Sequence, residues 1–136
     1  MRLSFKIEGG DFTQAGQASS EVKKVLKQLG IDAKTIKNIV IALYEAEVNI
    51  VAHAYRGTID VEIDDKKITI RLTDEGPGIP DIEMAMKEGF STASKKVREM
   101  GFGAGMGLPN IKKNTDLMDI KSTVGVGTEL IMVNYF

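Results

Sequence analysis

The sequence predicts an α+β domain: a two-layer α/β sandwich whose mixed, mostly antiparallel sheet carries helices on one face. Three observations predict it. Apolar and polar residues alternate with a period of two near the N-terminus, in the middle of the chain and twice near the C-terminus. Two segments between residues 11 and 55 carry helical periodicity instead. The order of strands and helices fits one sheet covered by helices on one face.

The elements follow in order. Leu3, Phe5 and Ile7 alternate with Ser4, Lys6 and Glu8 as in a strand, which Gly9 and Gly10 end. Asp11 or Thr13 is placed to cap a helix running to about Leu29, with Val22, Val25, Leu26 and Leu29 on one face. Gly30 is its expected stop. Asp32 caps a longer helix to about Tyr55, and its apolar positions cover more than one face, so deep burial is expected. Residues 58–63 and 67–73 read as strands joined by the turn Asp64-Asp65-Lys66. Asp81 caps a short helix over 82–87, residues 89–107 read as a long mobile loop, and 108–114 resume a helical pattern. Residues 117–122 and 128–135 are the last strands, around Gly125-Val126-Gly127. Neither a repeat nor a linker interrupts the 136 residues, so residues 1–136 are expected to form one domain.

Composition narrows the function classes. Apolar residues make up 43% of the chain and charged residues 27%, enough for a core and a soluble surface. The formal net charge of −1 gives no electrostatic footprint for nucleic acid or an anionic membrane. Without cysteine there is no disulfide frame, and with one histidine a structural zinc site is not expected. No apolar run approaches the roughly 20 residues that span a bilayer, and the N-terminus is too short and polar for a signal peptide. A cytoplasmic location is expected.

Three stretches carry chemistry. In DEGPGIP, residues 74–80, a tight turn closes a strand with Asp74 at its lip. It is either a surface turn or a carboxylate set to read a ligand that the glycines allow to approach. In the long helix, Glu45, Asn49 and His53 form one row at i+4 spacing beside Ile41, Ala42 and Ala52. Polar groups in an apolar helix are costly unless paired or solvated. Either the row satisfies backbone or faces water, or it floors a polar cavity. In the second case Glu45 and Asn49 offer two hard oxygens one turn apart, suited to a hydrated Mg²⁺, and a carboxylate there can polarise an attacking hydroxyl. His53 reads as structural or rim-lining. In GFGAGMGLPNI, residues 101–111, glycines alternate and a helix then begins, the form of an anion site at a helix N-terminus. It is not a Walker A loop, and without a preceding strand it is not a Rossmann turn. Lys95, Lys96 and Arg98 upstream either neutralise terminal phosphates or form a solvated cluster.

Together these stretches resemble the GHKL (Bergerat-fold) ATP-binding family. Its N-box is similar to Glu45-Ala46-Glu47-Val48-Asn49, its D-x-G-x-G box to Asp74-Glu75-Gly76-Pro77-Gly78, its second glycine box to Gly103-Ala104-Gly105-Met106-Gly107-Leu108, and its downstream G-T pair to Gly127-Thr128. Four motifs in order across residues 45–128 make the likeness specific. The resemblance implies a Bergerat fold that binds Mg-ATP. Asp74 would accept from the adenine amino group, Gly76 and Gly78 would keep the turn open, and Thr128 would support that aspartate or an adenine-bound water. Asn49 would hold Mg²⁺, with Glu45 reaching it through water. The amides of Gly105, Met106 and Gly107 would hold phosphates. Gly103, Ala104, Leu108, Ile79 and His53 would complete the nucleotide site, with Lys95, Lys96 or Arg98 at the γ-phosphate. Residues 89–107 would act as a lid ordered by ATP.

Residues 74–113 most resemble the bacterial anti-sigma regulatory factor and switch serine-kinase group, and the Glu45, Asn49, His53 spacing looks like the same branch. That implies a serine-protein kinase acting on a STAS-domain anti-anti-sigma (antagonist) protein, with Glu45 as general base, and a sigma factor or other regulator as a further partner. The loop after Phe90 is longer and more basic than the usual pattern, and Met106 stands where leucine is common. Two alternatives remain at this point: an ATP-dependent anti-sigma binding module without significant turnover, and a stand-alone histidine-kinase-like catalytic ATPase domain. For the last, no phosphoacceptor domain is visible and His53 is poorly placed to serve. The branch commonly forms homodimers, and nothing in this sequence demands one.

Overall fold

The computed structural model describes residues 1–87 and 107–136. Five strands form one sheet in the order β1-β2-β3-β5-β4, with β1 Arg2–Glu8, β2 Arg56–Ile63, β3 Lys67–Glu75, β4 Leu117–Thr123 and β5 Gly127–Tyr135. All four pairings are antiparallel, so the sheet carries no parallel pair among the described residues. The two helices between β1 and β2 return the chain to the same edge, and β2–β3 and β4–β5 are hairpins. Asp64 fastens the first hairpin by accepting from the N–H groups of Lys66 and Lys67 at 2.8 and 2.9 Å.

The strand alternation does what it should. Ile59, Val61, Ile63, Ile68, Ile70, Leu72, Leu130 and Met132 are buried on one face, and Asp60, Glu62 and Arg71 are exposed on the other. The helices α1 Gln17–Gln28 and α2 Ala33–His53 cover the buried face. Two shorter helices follow, α3 Ile82–Ala85 and α4 Gly107–Lys113. Pro109 is tolerated because it lies in the first turn, where a missing N–H costs no hydrogen bond.

Asp32 caps α2 by accepting from Thr35 N at 3.2 Å, and Asp81 caps α3 by accepting from Met84 N at 3.1 Å. As its all-round apolar pattern implies, α2 is the central helix, with Ile36, Ile39, Leu43, Ala46, Ile50 and Val51 all buried.

Several boundaries differ from expectation. Neither Asp11 nor Thr13 caps α1. Thr13 Oγ1 donates to Asp11 Oδ1 at 2.6 Å, Phe12–Gln14 form a 3-10 turn, and α1 begins only after Gly16 in a left-handed conformation (φ 96°). At the other end Leu29 leaves the apolar face as the C-cap and is 46% exposed, before Gly30 turns the chain. Helix α2 ends at His53, because Ala54 is extended and Tyr55 N already donates to Glu75 O at 2.8 Å. Helix α3 stops at Ala85 rather than Lys87, and α4 runs 107–113 rather than 108–114.

Candidate functional site

The inner face of the sheet ends in a polar rung. Across β3, β5 and β4, Ile70, Met132 and Met118 form one apolar row and Leu72, Leu130 and Ile120 the next. One step further Ser122 pairs with Thr128, and Asp74 ends β3 beside them. The period-two alternation therefore aims three polar side chains into the interior at the sheet's end, where the apolar core stops.

Asp74 is half-buried, and its Oδ1 accepts from Thr128 N at 3.0 Å. Burial raises its carboxyl above the ordinary value, and the Thr128 N–H partly offsets that. Among the described residues Oδ2 accepts no hydrogen bond. Ser122 Oγ lies 2.8 Å from Thr128 Oγ1, accepts from Ile79 N at 2.7 Å and approaches Gly127 O at 3.2 Å. One serine thus ties the turn after Asp74 to the last hairpin.

Two glycines are required by contact. A Cβ at Gly127 would overlap the Asp74 carbonyl oxygen, and one at Gly78 (φ 76°) would sit 2.5 Å from Thr123 O. Gly76 packs against Ala54 at the end of α2, and Gly76 N donates to Val126 O at 3.0 Å. The glycines of DEGPGIP therefore let β3 close onto the β4–β5 turn and onto α2.

The helical row lies at the same end of the sandwich. Glu45, Asn49 and His53 are all partly exposed on α2. A Cβ at Gly107 would lie 3.0 Å from both Nδ2 and Oδ1 of Asn49, so α4 starts directly against that amide. Asn110 Nδ2 donates to Glu45 Oε1 at 3.4 Å. Burial lowers the His53 imidazole below its usual 6.5. Unfolding restores that basicity, so the unfolded chain binds the proton more tightly. Stability is expected to fall as pH drops below about 6.5 and to level off below the folded-state value. His53→Gln should flatten that part of a pH series of urea unfolding curves.

Of the residues picked from sequence, Asp74, Gly76, Gly78, Ile79 and Thr128 meet at the end of the sheet. Glu45, Asn49 and Gly107 meet between α2 and α4. Leu108 turns its side chain into the core, leaving only its backbone for a ligand. Lys95, Lys96, Arg98, Gly103, Ala104, Gly105 and Met106 lie outside the described residues. Sequence reasoning missed Ser122, Asn110 and Glu47. Ser122 follows Met118 and Ile120 at period two, which was a usable signal. Asn110 had none.

Glu47 is fully buried. Its Oε2 accepts from Gly16 N and Ala18 N at 3.0 and 3.1 Å, and its Oε1 from Ser19 N and Ser19 Oγ, both at 3.1 Å. It is the N-cap that α1 lacks in its own sequence, and it sets a carboxylate at the positive end of that helix. So Glu45 and Glu47, two residues apart, face different tasks: one the partly open site, the other the helix interface.

The arrangement offers a carboxylate beside a glycine-lined turn, and an amide and a second carboxylate one helical turn apart. Comparison with known proteins shows the family. Residues 10–134 match the family model described as Histidine kinase-like ATPase domain. The chain is 35% identical over 117 residues to the serine/threonine-protein kinase RsbT of Bacillus subtilis, covering 83% of this chain and 82% of that protein. It is 37% identical over 123 residues to an anti-sigma F factor of Caldanaerobacter subterraneus, covering 87% and 82%. In fold it is similar to the RsbU and RsbW domains of a Mycobacterium tuberculosis protein (TM-score 0.66, 15% identity), covering 98% of this chain and 31% of that one. It is also similar to the mycobacterial sensor histidine kinase MprB (TM-score 0.57, 17% identity), covering 99% and 97%. The chain belongs to the histidine kinase-like ATPase domain family.

Proposed function

We propose that this protein binds Mg-ATP and acts as a serine-protein kinase within an anti-sigma regulatory system, with a STAS-domain antagonist as phosphoacceptor. The observation that carries this reading is Asp74, held by Thr128 N, on a turn that packs at Gly76 against the end of α2, the helix that carries Glu45 and Asn49. The names of its relatives, a serine/threonine-protein kinase and anti-sigma F factors, fit both halves of it.

The residues present suit the ligand. Asp74 leaves one carboxylate oxygen for a base amino group. Gly127 and Gly78 stand where side chains would push the β4–β5 turn away from Asp74 and the turn that follows it. Among the described residues no cluster of three acidic or histidine side chains could hold a metal alone. Asn49 would therefore hold Mg²⁺ together with phosphate oxygens and water, with Glu45 reaching the ion through water. When bound, ATP would supply the γ-phosphoryl group to the serine oxygen, its β–γ bridging bond breaking to release ADP. Glu45 would take the proton from the partner's serine hydroxyl as that oxygen attacks, and Asn110 would steady its carboxylate. Such transfer rests mainly on positioning and charge neutralisation, which a small domain can provide when the partner brings the serine.

Glu45→Ala is expected to lower phosphoserine formation on the partner by roughly 10²-fold or more, while ATP affinity by calorimetry stays within about threefold. Transfer at the wild-type rate would remove Glu45 as the base. The anti-sigma names favour a second reading, in which nucleotide sets the grip on a sigma factor and little phosphate is transferred. Capture of partners by the Mg-ATP and Mg-ADP forms separates the two. A STAS-domain protein phosphorylated only with ATP supports the kinase. A sigma factor held with no phosphoserine anywhere supports sequestration. No detectable binding at millimolar Mg-ATP would overturn both.

A further inference from the structure

We infer that Ser122 is a positioning residue that fixes the direction of the Thr128 hydroxyl, making Thr128 and Asp74 a wall of acceptors that selects a 6-amino purine over a 6-oxo purine. This rests on the ATP reading above and adds to it a source of base selectivity outside the residues expected to touch the base.

The inference follows from proton accounting. Ser122 Oγ has one proton and two lone pairs. Ile79 N–H, 2.7 Å away, occupies one lone pair. Gly127 O, 3.2 Å away, can only accept, so that contact takes the Ser122 proton. The remaining neighbour is Thr128 Oγ1 at 2.8 Å, and Thr128 must then be the donor, into the second lone pair. All three contacts are satisfied only in this arrangement. If Ser122 donated to Thr128 instead, the Gly127 carbonyl would face an oxygen without a proton.

The consequence lies on the ligand side. Thr128 spends its only proton on Ser122, so toward any further group its hydroxyl can only accept. Asp74, whose Oδ1 is held by Thr128 N, is also an acceptor there. A base edge carrying an amino group is matched, and one carrying a carbonyl at the same place meets lone pairs. Without Ser122, the Thr128 hydroxyl can turn and donate.

The test is calorimetric binding of ATP and of inosine triphosphate in the presence of Mg²⁺, on wild type, Ser122→Ala, Ser122→Thr, Thr128→Val and the Ser122→Ala/Thr128→Val pair. The wild type should prefer ATP, and Ser122→Ala should shrink the ATP-to-inosine-triphosphate preference about tenfold. Ser122→Thr keeps the hydroxyl and should keep the preference. In the Thr128→Val background, Ser122→Ala should leave the preference unchanged within about twofold, because the hydroxyl it acts through is gone. If Ser122→Ala weakens both nucleotides equally, or has the same effect on the preference with and without the Thr128 hydroxyl, Ser122 merely braces the turn. The inference then falls while ATP binding stands. A wild type that binds neither nucleotide overturns this inference together with the reading beneath it.

Discussion

Asp74→Asn is expected to weaken nucleotide binding roughly 10²-fold and, without nucleotide, to make the protein more stable. The two effects share one cause. Burial raises the Asp74 carboxyl above its usual value of 3.8 despite the Thr128 N–H that favours its charge. The folded state therefore holds that proton more tightly than the unfolded state, and at neutral pH the ionised carboxylate opposes folding. The cost grows as pH rises from about 3.8 through the folded-state value and is complete above it. Asparagine keeps an acceptor for Thr128 N and carries no charge, so the cost disappears. Its second atom is an NH₂ group where Asp74 has Oδ2, so a donor would confront the base amino group. Loss of a charge-assisted hydrogen bond with a donor left facing a donor should cost ~3 kcal/mol, roughly 10²-fold in affinity. Thermal unfolding with and without Mg-ATP reads both effects. The variant should melt on the order of 2 °C higher alone and show a smaller nucleotide-induced rise. A variant that melts lower, or that still gains stability from Mg-ATP as the wild type does, would contradict this account. The result expected is a trade of stability for binding at one residue.

Glu47→Ala should be strongly destabilising, although Glu47 is expected to touch no ligand. Its carboxylate accepts from three backbone N–H groups and one hydroxyl at the start of α1 and is fully buried. Alanine would strand the three backbone N–H groups, while the Ser19 hydroxyl keeps Gly16 O at 3.1 Å, and would leave a cavity, at a cost of ~3–5 kcal/mol, against a total stability on the order of 5–15 kcal/mol for a domain of this kind. Glu47→Gln keeps one acceptor oxygen and turns an NH₂ group toward the other donors, so about half the loss is expected. Glu45→Ala, two residues away on the same helix, should change stability by less than about 0.5 kcal/mol because Glu45 is half-exposed with one long hydrogen bond. Urea unfolding of the three variants gives the comparison. Equal stability losses at positions 45 and 47 would show that the division of labour between them is wrong.

How much was legible beforehand depended on the range of the interaction. Strand alternation, the Asp32 and Asp81 caps, the Asp64 turn and the long central helix are local, and all appear in the structure. The start of α1 was misread for the same reason. Local spacing points to Asp11 or Thr13 as the cap, whereas the group that caps the helix lies about thirty positions away at Glu47. Its one local trace is a carboxylate at the core-facing spacing of Leu43 and Ile50. Ser122 is similar. Its place on the inner face follows from period two, but its bonds to Ile79, 43 positions away, and to Thr128 exist only once β3, β5 and β4 are assembled.

Sequence alone was enough for the family and for the α+β layers, because motif residues and apolar periodicity can be read along the chain. The fold alone showed that Glu47 is buried as the cap of α1 while Glu45 stays partly exposed beside Asn110. It alone set Asp74 beside Thr128 and closed Gly107 onto Asn49. The physical reason is that hydrogen-bond partners and desolvation come from segments far apart in the chain, and a side chain's role follows from which of those segments surround it.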